Sequence, residues 1–474
     1  MTRMTHFRPR TICLIPLCIL LAWQSPAALA FDTEFDRAAT IVDDWSPQRG
    51  ETRDFGSPPP VPNEALSAEV KAALESAFGD LGNTGWGPDQ TSSLATIVEA
   101  KDPRLAWLIA DLSRFVSDPR LGELLASAAS EILGITLTPD DYWGAMTDHL
   151  IAWDIPAPPG YFEYKKKIFT LVLPDLQTLM VPGDIDWRLV SWGGVAIDNR
   201  PYDQTDLACN CIPAADNPET TTAAEATWLT ANDIVFGITI NGESRAYPRR
   251  IMEVREMVND SIGGRDLAIP YCTLCGSAQA YFTDRLPDKV KRPVMRTSGL
   301  LIRSNKVMYD LTSQSIFDTF TGKAVTGPLA DRGMSLKQAS VVTTTWSAWQ
   351  KQHPDTTVLA ESLALGRNFD FRNNRDADGP IFPIGPADAR LAVHEDVLGV
   401  ISPEGQPVAF HVATAKAALK QKLSVRYGGI VILQDGDGLR AVGPEGEDLG
   451  SHQAFWFAWS QFHPTTALWP EDVR

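Results

Sequence analysis

The stretch Pro270-Tyr271-Cys272-Thr273-Leu274-Cys275-Gly276 holds the only C-x-x-C of this chain. Two thiols at that spacing can close a disulfide, exchange electrons with another thiol couple, or supply half of a tetrahedral sulfur site to a metal. Cys209-Asn210-Cys211 adds a second close pair. Three readings follow for the four sulfurs. Disulfides could pin the two segments together, which is the default for an even cysteine count in an oxidising compartment. Four thiolates could hold zinc or copper(I), which accept soft ligands. A thiol of the C-x-x-C could be redox-active or nucleophilic. A thioredoxin-like pair opens a helix, whose N-terminus lowers the thiol pKa. Here Gly276 follows, and Ala278 and Ala280 alternate with Gln279 and Tyr281 as in a strand. That pattern counts against a thioredoxin fold and suits a metal knuckle or a hairpin.

Other polar groups flank this stretch. Arg303, Asn305, Lys306, Tyr309 and Asp310 follow the apolar Leu300-Leu301-Ile302. The cations suit an anionic ligand oriented by Asn305, Tyr309 or Asp310; a turn with exposed charge is the competing reading. Glu253, Arg255, Glu256 and Asp260 lie on or beside one short helix, as acid–base groups or as solvated ion pairs. His353 and His463 each end a W-x-x-W-x-x-x-H-P run. A histidine in the last turn of a helix meets the dipole favourably, so both are read as structural. No G-x-S-x-G, H-E-x-x-H, Walker loop or G-x-G-x-x-G is present. Residues 374–379 open like a calcium loop, but Gly385 stands at the twelfth position, where a bidentate Glu is needed.

The elements that must position these groups begin after a leader. Arg3, Arg8 and Arg10, an apolar run from residue 12 to 23, and Ala28-Leu29-Ala30 form the pattern of a secretory signal, residues 1–30, cleaved before Phe31. The apolar run is too short for a spanning helix of about 20 residues. The expectation is a periplasmic or secreted protein with no transmembrane anchor after cleavage. The formal charge of −17 becomes −20 when the three arginines leave. Such an acidic balance disfavours nucleic acid and anionic lipid as partners. Cys13 and Cys18 leave too, so four cysteines remain.

The remaining length is enough for two or three domains. Residues 31 to about 65 read as a polar, Pro-rich lead-in, and residues 65–155 as a helical domain. Val70, Ala73, Leu74, Ala77, Phe78 and Leu81 share one helix face up to Gly82. Asp102-Pro103-Arg104-Leu105 and Asp118-Pro119-Arg120-Leu121 are twin helix starts, with Asp as N-cap and Pro at the first helical position. Such a bundle could dock a protein partner. Residues 156–208, opening with Pro156-Ala157-Pro158-Pro159-Gly160, read as a linker region. From residue 209 the signals are strand-like, with the hairpin turn Asn241-Gly242 between two β-rich runs.

The β-rich part, 209–469, repeats itself. Trp346, Trp349, His353 and Pro354 recur as Trp456, Trp459, His463 and Pro464; Gly237 recurs as Gly399, and Gly263-Gly264 as Gly428-Gly429. The units run from about 230 to 360 and from 394 to 469. Aligned from the Gly-Gly pairs, the cysteine stretch falls opposite the polar turn Asp435-Gly436-Asp437-Gly438. Residues 272–276 are therefore expected at a hairpin tip. The cysteine-free counterpart implies that the sulfurs serve a site, not the fold. The fold class is α+β: a helical N-terminal domain, then a β-rich domain with an internal repeat.

Residues 209–469 resemble a large bacterial family of unknown function. The resemblance is carried by residues 212–218, 241–248, 256–260, 271–276, 298–301, 304–305 and 308–310, and by the two Trp–His-Pro motifs. It implies membership and a secreted context, but no activity. Many members carry His where Arg255 stands; if that His is a metal ligand in the family, this chain lacks it. The residues point to a cysteine-centred site that binds a soft metal (zinc or copper) or a small ligand. A thiol–disulfide oxidoreductase and a non-catalytic, disulfide-stapled interaction protein are the alternatives.

Overall fold

The computed structural model describes residues 45–138, 141–204, 208–287, 290–365 and 379–473. The signal-like segment and residues 374–378 of the calcium-like run lie outside them. Helices occupy residues 68–177 and precede the β-rich region. Their starts follow from side-chain caps. Ser67 accepts a hydrogen bond from Val70 N and opens Ala68–Leu74. Asp102 and Asp118 each accept from the N–H two residues on, at 3.0 Å, ahead of a proline. The second opens the helix Pro119–Leu133, which Gly134 ends at φ +68. The first opens a short 3₁₀ turn that runs into Ala106–Ser113.

The region 156–208, expected as a linker, carries regular structure in its described part. Tyr161–Val172 is a helix, and Val190–Trp192 is a strand paired with residues 300–302. The run Lys165-Lys166-Lys167 hides the helix, because it interrupts the apolar periodicity. Lys165 is nonetheless fully buried. Its ammonium donates to Asp111 Oδ1 at 2.6 Å, Val190 O at 2.7 Å and Tyr161 Oη at 3.1 Å. The helical core continues into the sheet Val190–Trp192, Met295–Ile302, Asn305–Asp310 and Ile316–Asp318. Phe78 and Trp107 share one apolar cluster with Leu300, Val307 and Ile316.

The β-rich region is a propeller-like ring of five sheets with repeat-like blades. The first unit is a hairpin, Ile234–Ile240 and Glu243–Pro248, then the helix Arg249–Arg255, then the hairpin Met257–Ile262 and Arg265–Cys272. The second runs through Asp396–Ile401, Pro407–His411, the helix Val412–Lys420, Val425–Tyr427 and Ile430–Asp435 in the same order. Each closes with a strand, a Trp-bearing helix and a strand parallel to its first hairpin. The repeated residues explain one another. Trp349 lies over Gly237 and Trp459 over Gly399, where a Cβ would meet ring carbons at 2.3 and 2.1 Å. Trp349 Nε1 donates to Thr356 Oγ1 at 3.0 Å, and Trp459 Nε1 to Thr466 Oγ1 at 2.8 Å.

The units also grip each other. Asp437 Oδ1 accepts from Thr345 N at 2.8 Å, and Cys275 O accepts from Phe455 N at 2.8 Å. Thr345 and Phe455 are the N-caps of the two Trp helices. His353 clamps the same contact, with Nε2 2.7 Å from Asp435 Oδ1 and Nδ1 3.1 Å from Ser244 Oγ. His463 packs against Trp459 with the rings tilted at 40° and their centroids 4.1 Å apart.

Candidate functional site

Residues 272–276 form a hairpin tip. Tyr271 pairs with Ala278 and Cys272 with Ser277, as Asp435 pairs with Gly438 in the second unit. Gly276 sits at φ +60, and a Cβ there would lie 2.9 Å from the Phe455 ring. Both the backbone and the packing therefore require glycine. Cys272 and Cys275 are free, buried thiols with their sulfurs 2.9 Å apart.

A second hairpin tip reaches the same point. Met295–Ile302 and Asn305–Asp310 turn at Arg303-Ser304, with Arg303 at φ +54. This turn sets Ser304 O 3.4 Å and Asn305 Oδ1 3.3 Å from Cys275 Sγ. The next residue, Lys306, ties the tips together. Its ammonium donates to Glu256 O, and lies 3.4 Å from Tyr271 O and 3.3 Å from Glu256 Oε2. Glu256 ends the helix Arg249–Arg255 in the left-handed region at φ +48, a conformation that costs a non-glycine residue about 1–3 kcal/mol and often marks a functional position. Thr273 Oγ1 donates to Glu256 Oε1 at 3.2 Å.

The electrostatics separate the two thiols. Burial pushes Cys272 up, but the hydrogen bond from Cys275 and the adjacent Lys306 outweigh it, and the thiol ends below its ordinary pKa. Burial and its role as donor hold Cys275 well above the ordinary range. Burial pulls Lys306 down, while Glu256 and Cys272 pull it back up. Cys272 is thus the group disposed to be a thiolate nucleophile, and Cys275 its proton-bearing partner.

Cys272 opens onto a cavity of about 310 Å³. Val195, Leu300, Leu301 and Val307 wall it, and Ile381 and Phe382 border it from a distant segment. A bulge shapes the wall: the pairing of the 295–302 and 305–310 strands shifts between Thr297 and Leu301. Ser298 Oγ donates to Val307 O at 2.6 Å and accepts from Leu300 N at 3.1 Å, satisfying groups that the bulge frees. Gly299, at φ +73, passes so close to Val195 that a Cβ would lie 2.4 Å from its carbonyl oxygen.

Of the residues singled out in the sequence, Cys272, Cys275, Asn305, Lys306 and Glu256 come together here. The others lie elsewhere. Cys209 and Cys211 are bonded to each other, so in this state they offer no thiolates to the C-x-x-C. Their ligand atoms and that of Asp198 lie within 4.8 Å of one another. The Asp198 carboxylate is taken by Arg200 at 2.7 and 2.8 Å and by Ala214 N at 2.9 Å. Tyr309 Oη donates to Asp198 O at 2.7 Å. Asp310 accepts from Val294, Thr312 and Ser313 N–H groups and organises a turn. Arg303 lines a different, small cavity with Asp111 and Arg114. Arg255 Nε donates to Leu363 O at 3.0 Å. Thr273, Ser298, Gly299 and Phe382 also build the site but carried no chemical signal. Only Gly299 offered a clue, since glycine inside a strand often marks a bulge.

No curated protein and no solved structure matches the chain. A family model does. The matched residues span both hairpin tips and the first Trp–His-Pro motif, and end before the second. Residues 209–442 match the family described as protein of unknown function (DUF3179).

Proposed function

We propose that the chain is a thiol–disulfide exchange protein whose working pair is Cys272 and Cys275. One observation carries this reading: the Cys272 and Cys275 sulfurs approach to 2.9 Å, beside Lys306 and at the wall of a cavity. The Cys272 thiolate attacks one sulfur of a substrate disulfide. That S–S bond breaks, a mixed disulfide forms on Cys272, and the other half leaves as a thiolate. The departing thiolate takes up the proton that Cys275 gives up. Cys275 then attacks the Cys272 sulfur, the Cys272–Cys275 bond forms, and the second substrate thiolate leaves. The substrate gains two electrons and the pair loses two; a dithiol reductant restores the thiols. Lys306 and Glu256 hold the tips in register throughout.

Titration in dithiothreitol redox buffers, read by mass after thiol alkylation, tests the proposal. The expected result is a reversible two-electron couple above about −300 mV, the range of labile and catalytic disulfides. A potential below that, or a pair that never oxidises, overturns it.

A second reading is favoured by the proximity of Asp198, Cys209 and Cys211. After reduction, two thiolates and a carboxylate suit zinc, and the thiolates suit copper(I). Zinc uptake by the reduced protein that is lost in Cys209→Ser supports it; no uptake ends it. Secretion is part of the proposal. The basic, apolar and small-residue pattern of residues 1–30 supports it, as does the Cys209–Cys211 bond, since disulfides persist in oxidising compartments. Among the described residues no helix is long and apolar enough to cross a membrane.

A further inference from the structure

We infer that the site takes a small, uncharged disulfide with an apolar body, and that Phe382 with Ile381 sets the size limit. This rests on the thiol–disulfide reading above. Cys272 is 2% exposed, so a reagent reaches its sulfur only through the cavity. At about 310 Å³ the cavity is at the small end of ligand pockets. Apart from the Cys272 sulfur, the charged lining groups among the described residues are Lys306 and Glu256, and these are paired at 3.3 Å. Among the described residues no uncompensated cation is left to receive an anionic substrate, and an anion moved into these apolar walls loses water without gaining a partner. An anionic disulfide such as oxidised glutathione is therefore disfavoured, and a disulfide on a folded protein is too large.

The size limit is held from outside the matched region. The Phe382 ring meets Trp143 edge-on, with centroids 6.0 Å apart, and Arg114 lies 5.4 Å from it. Two residues on, Asp148 accepts from Ile384 N and Gly385 N, each at 2.9 Å, and pairs with Arg53 at 2.6 Å. Trp143, Arg114 and Asp148 all belong to the helical region. That region, distant in sequence from the cysteines, fixes the aromatic group that borders their cavity. Its part in the chemistry is to set which substrates fit.

The test uses the full chain with Cys275→Ser, which stops the reaction at the mixed disulfide on Cys272. Two probes share one leaving-group chemistry: neutral 2,2′-dithiodipyridine and its carboxylated analogue 6,6′-dithiodinicotinate. Each rate is divided by that of mercaptoethanol with the same probe. The expected result is a preference for the neutral probe at least roughly tenfold greater than mercaptoethanol shows, the scale of one poorly solvated charge. Phe382→Ala should keep that preference and gain reaction with oxidised ribonuclease by a similar factor. A normalised preference near one overturns the inference, as does a Phe382→Ala chain that gains nothing. In either case, reversible closure of Cys272–Cys275 in the redox titration leaves the exchange reading standing. Failure of that closure defeats the exchange reading itself.

Discussion

Replacing Cys275 with alanine removes the thiol whose sulfur lies 2.9 Å from Cys272 Sγ and whose hydrogen bond favours the Cys272 thiolate, and leaves everything that opposes a thiolate in place. Burial is the largest influence on Cys272 and favours the neutral thiol, and the Glu256 carboxylate acts in the same direction. Only the Cys275 hydrogen bond and Lys306 tip the balance the other way. A hydrogen bond to a charged group contributes about 1.5–3 kcal/mol. At about 1.4 kcal/mol per factor of ten, its loss cuts the thiolate population roughly ten- to a hundredfold at any pH below the thiol's pKa. Because alkylation proceeds through the thiolate, the rate at Cys272 falls by the same factor. The assay is iodoacetamide labelling across about pH 5 to 10, with the label located on Cys272 by mass spectrometry. Cys275→Ser keeps an O–H donor and should retain most of the rate. An alanine variant that is folded and labels at Cys272 as fast as the parent at neutral pH would refute the assignment of donor and nucleophile.

Three further outcomes concern the frame that holds the site. Lys165→Met leaves Asp111 buried without its ion-pair partner and should cost about 3–5 kcal/mol in urea unfolding, with Lys165→Met/Asp111→Leu recovering most of it; a single variant within about 1 kcal/mol of the parent contradicts this. His452 is held neutral, its pKa pushed down to about 3 by burial and by the nearby His463. The unfolded chain therefore binds the extra proton first as pH falls below about 6.5, and stability drops by up to about 1.4 kcal/mol per pH unit between there and about pH 3, with no contribution above. Unfolding measured from about pH 7.5 to 4.5 should show a shallower slope for His452→Asn, and equal slopes would count against the buried neutral imidazole. Gly237→Ala and Gly399→Ala each force a methyl to within 2.3 Å or less of a tryptophan ring and should cost about 1–3 kcal/mol; thermal melts unchanged from the parent would show that the Trp–Gly contact is not tight.

What the sequence by itself determined is whatever local rules settle. Asp102 and Asp118 announce helix starts because a carboxylate cap and a following proline act within three residues. Comparison of the two units identified the 272–276 tip, because Gly263-Gly264 and Gly428-Gly429 both lead from one hairpin strand into the next. The Trp349 and Trp459 motifs were legible as structural because one packing solution is used twice. Tertiary structure alone decided the rest. Lys165 looks like a solvated charge until Asp111, 54 residues away, supplies its partner. The four cysteines divide into a bonded pair and a free pair, a choice among connectivities that spacing does not make. Lys306 joins the site only because Glu256, 50 residues earlier, turns its carbonyl toward it. Phe382 borders the cavity only because the helical region holds it there. In each case the deciding energy is the desolvation of a charge, a thiol or a ring, and that depends on which distant groups surround it, not on its neighbours along the chain.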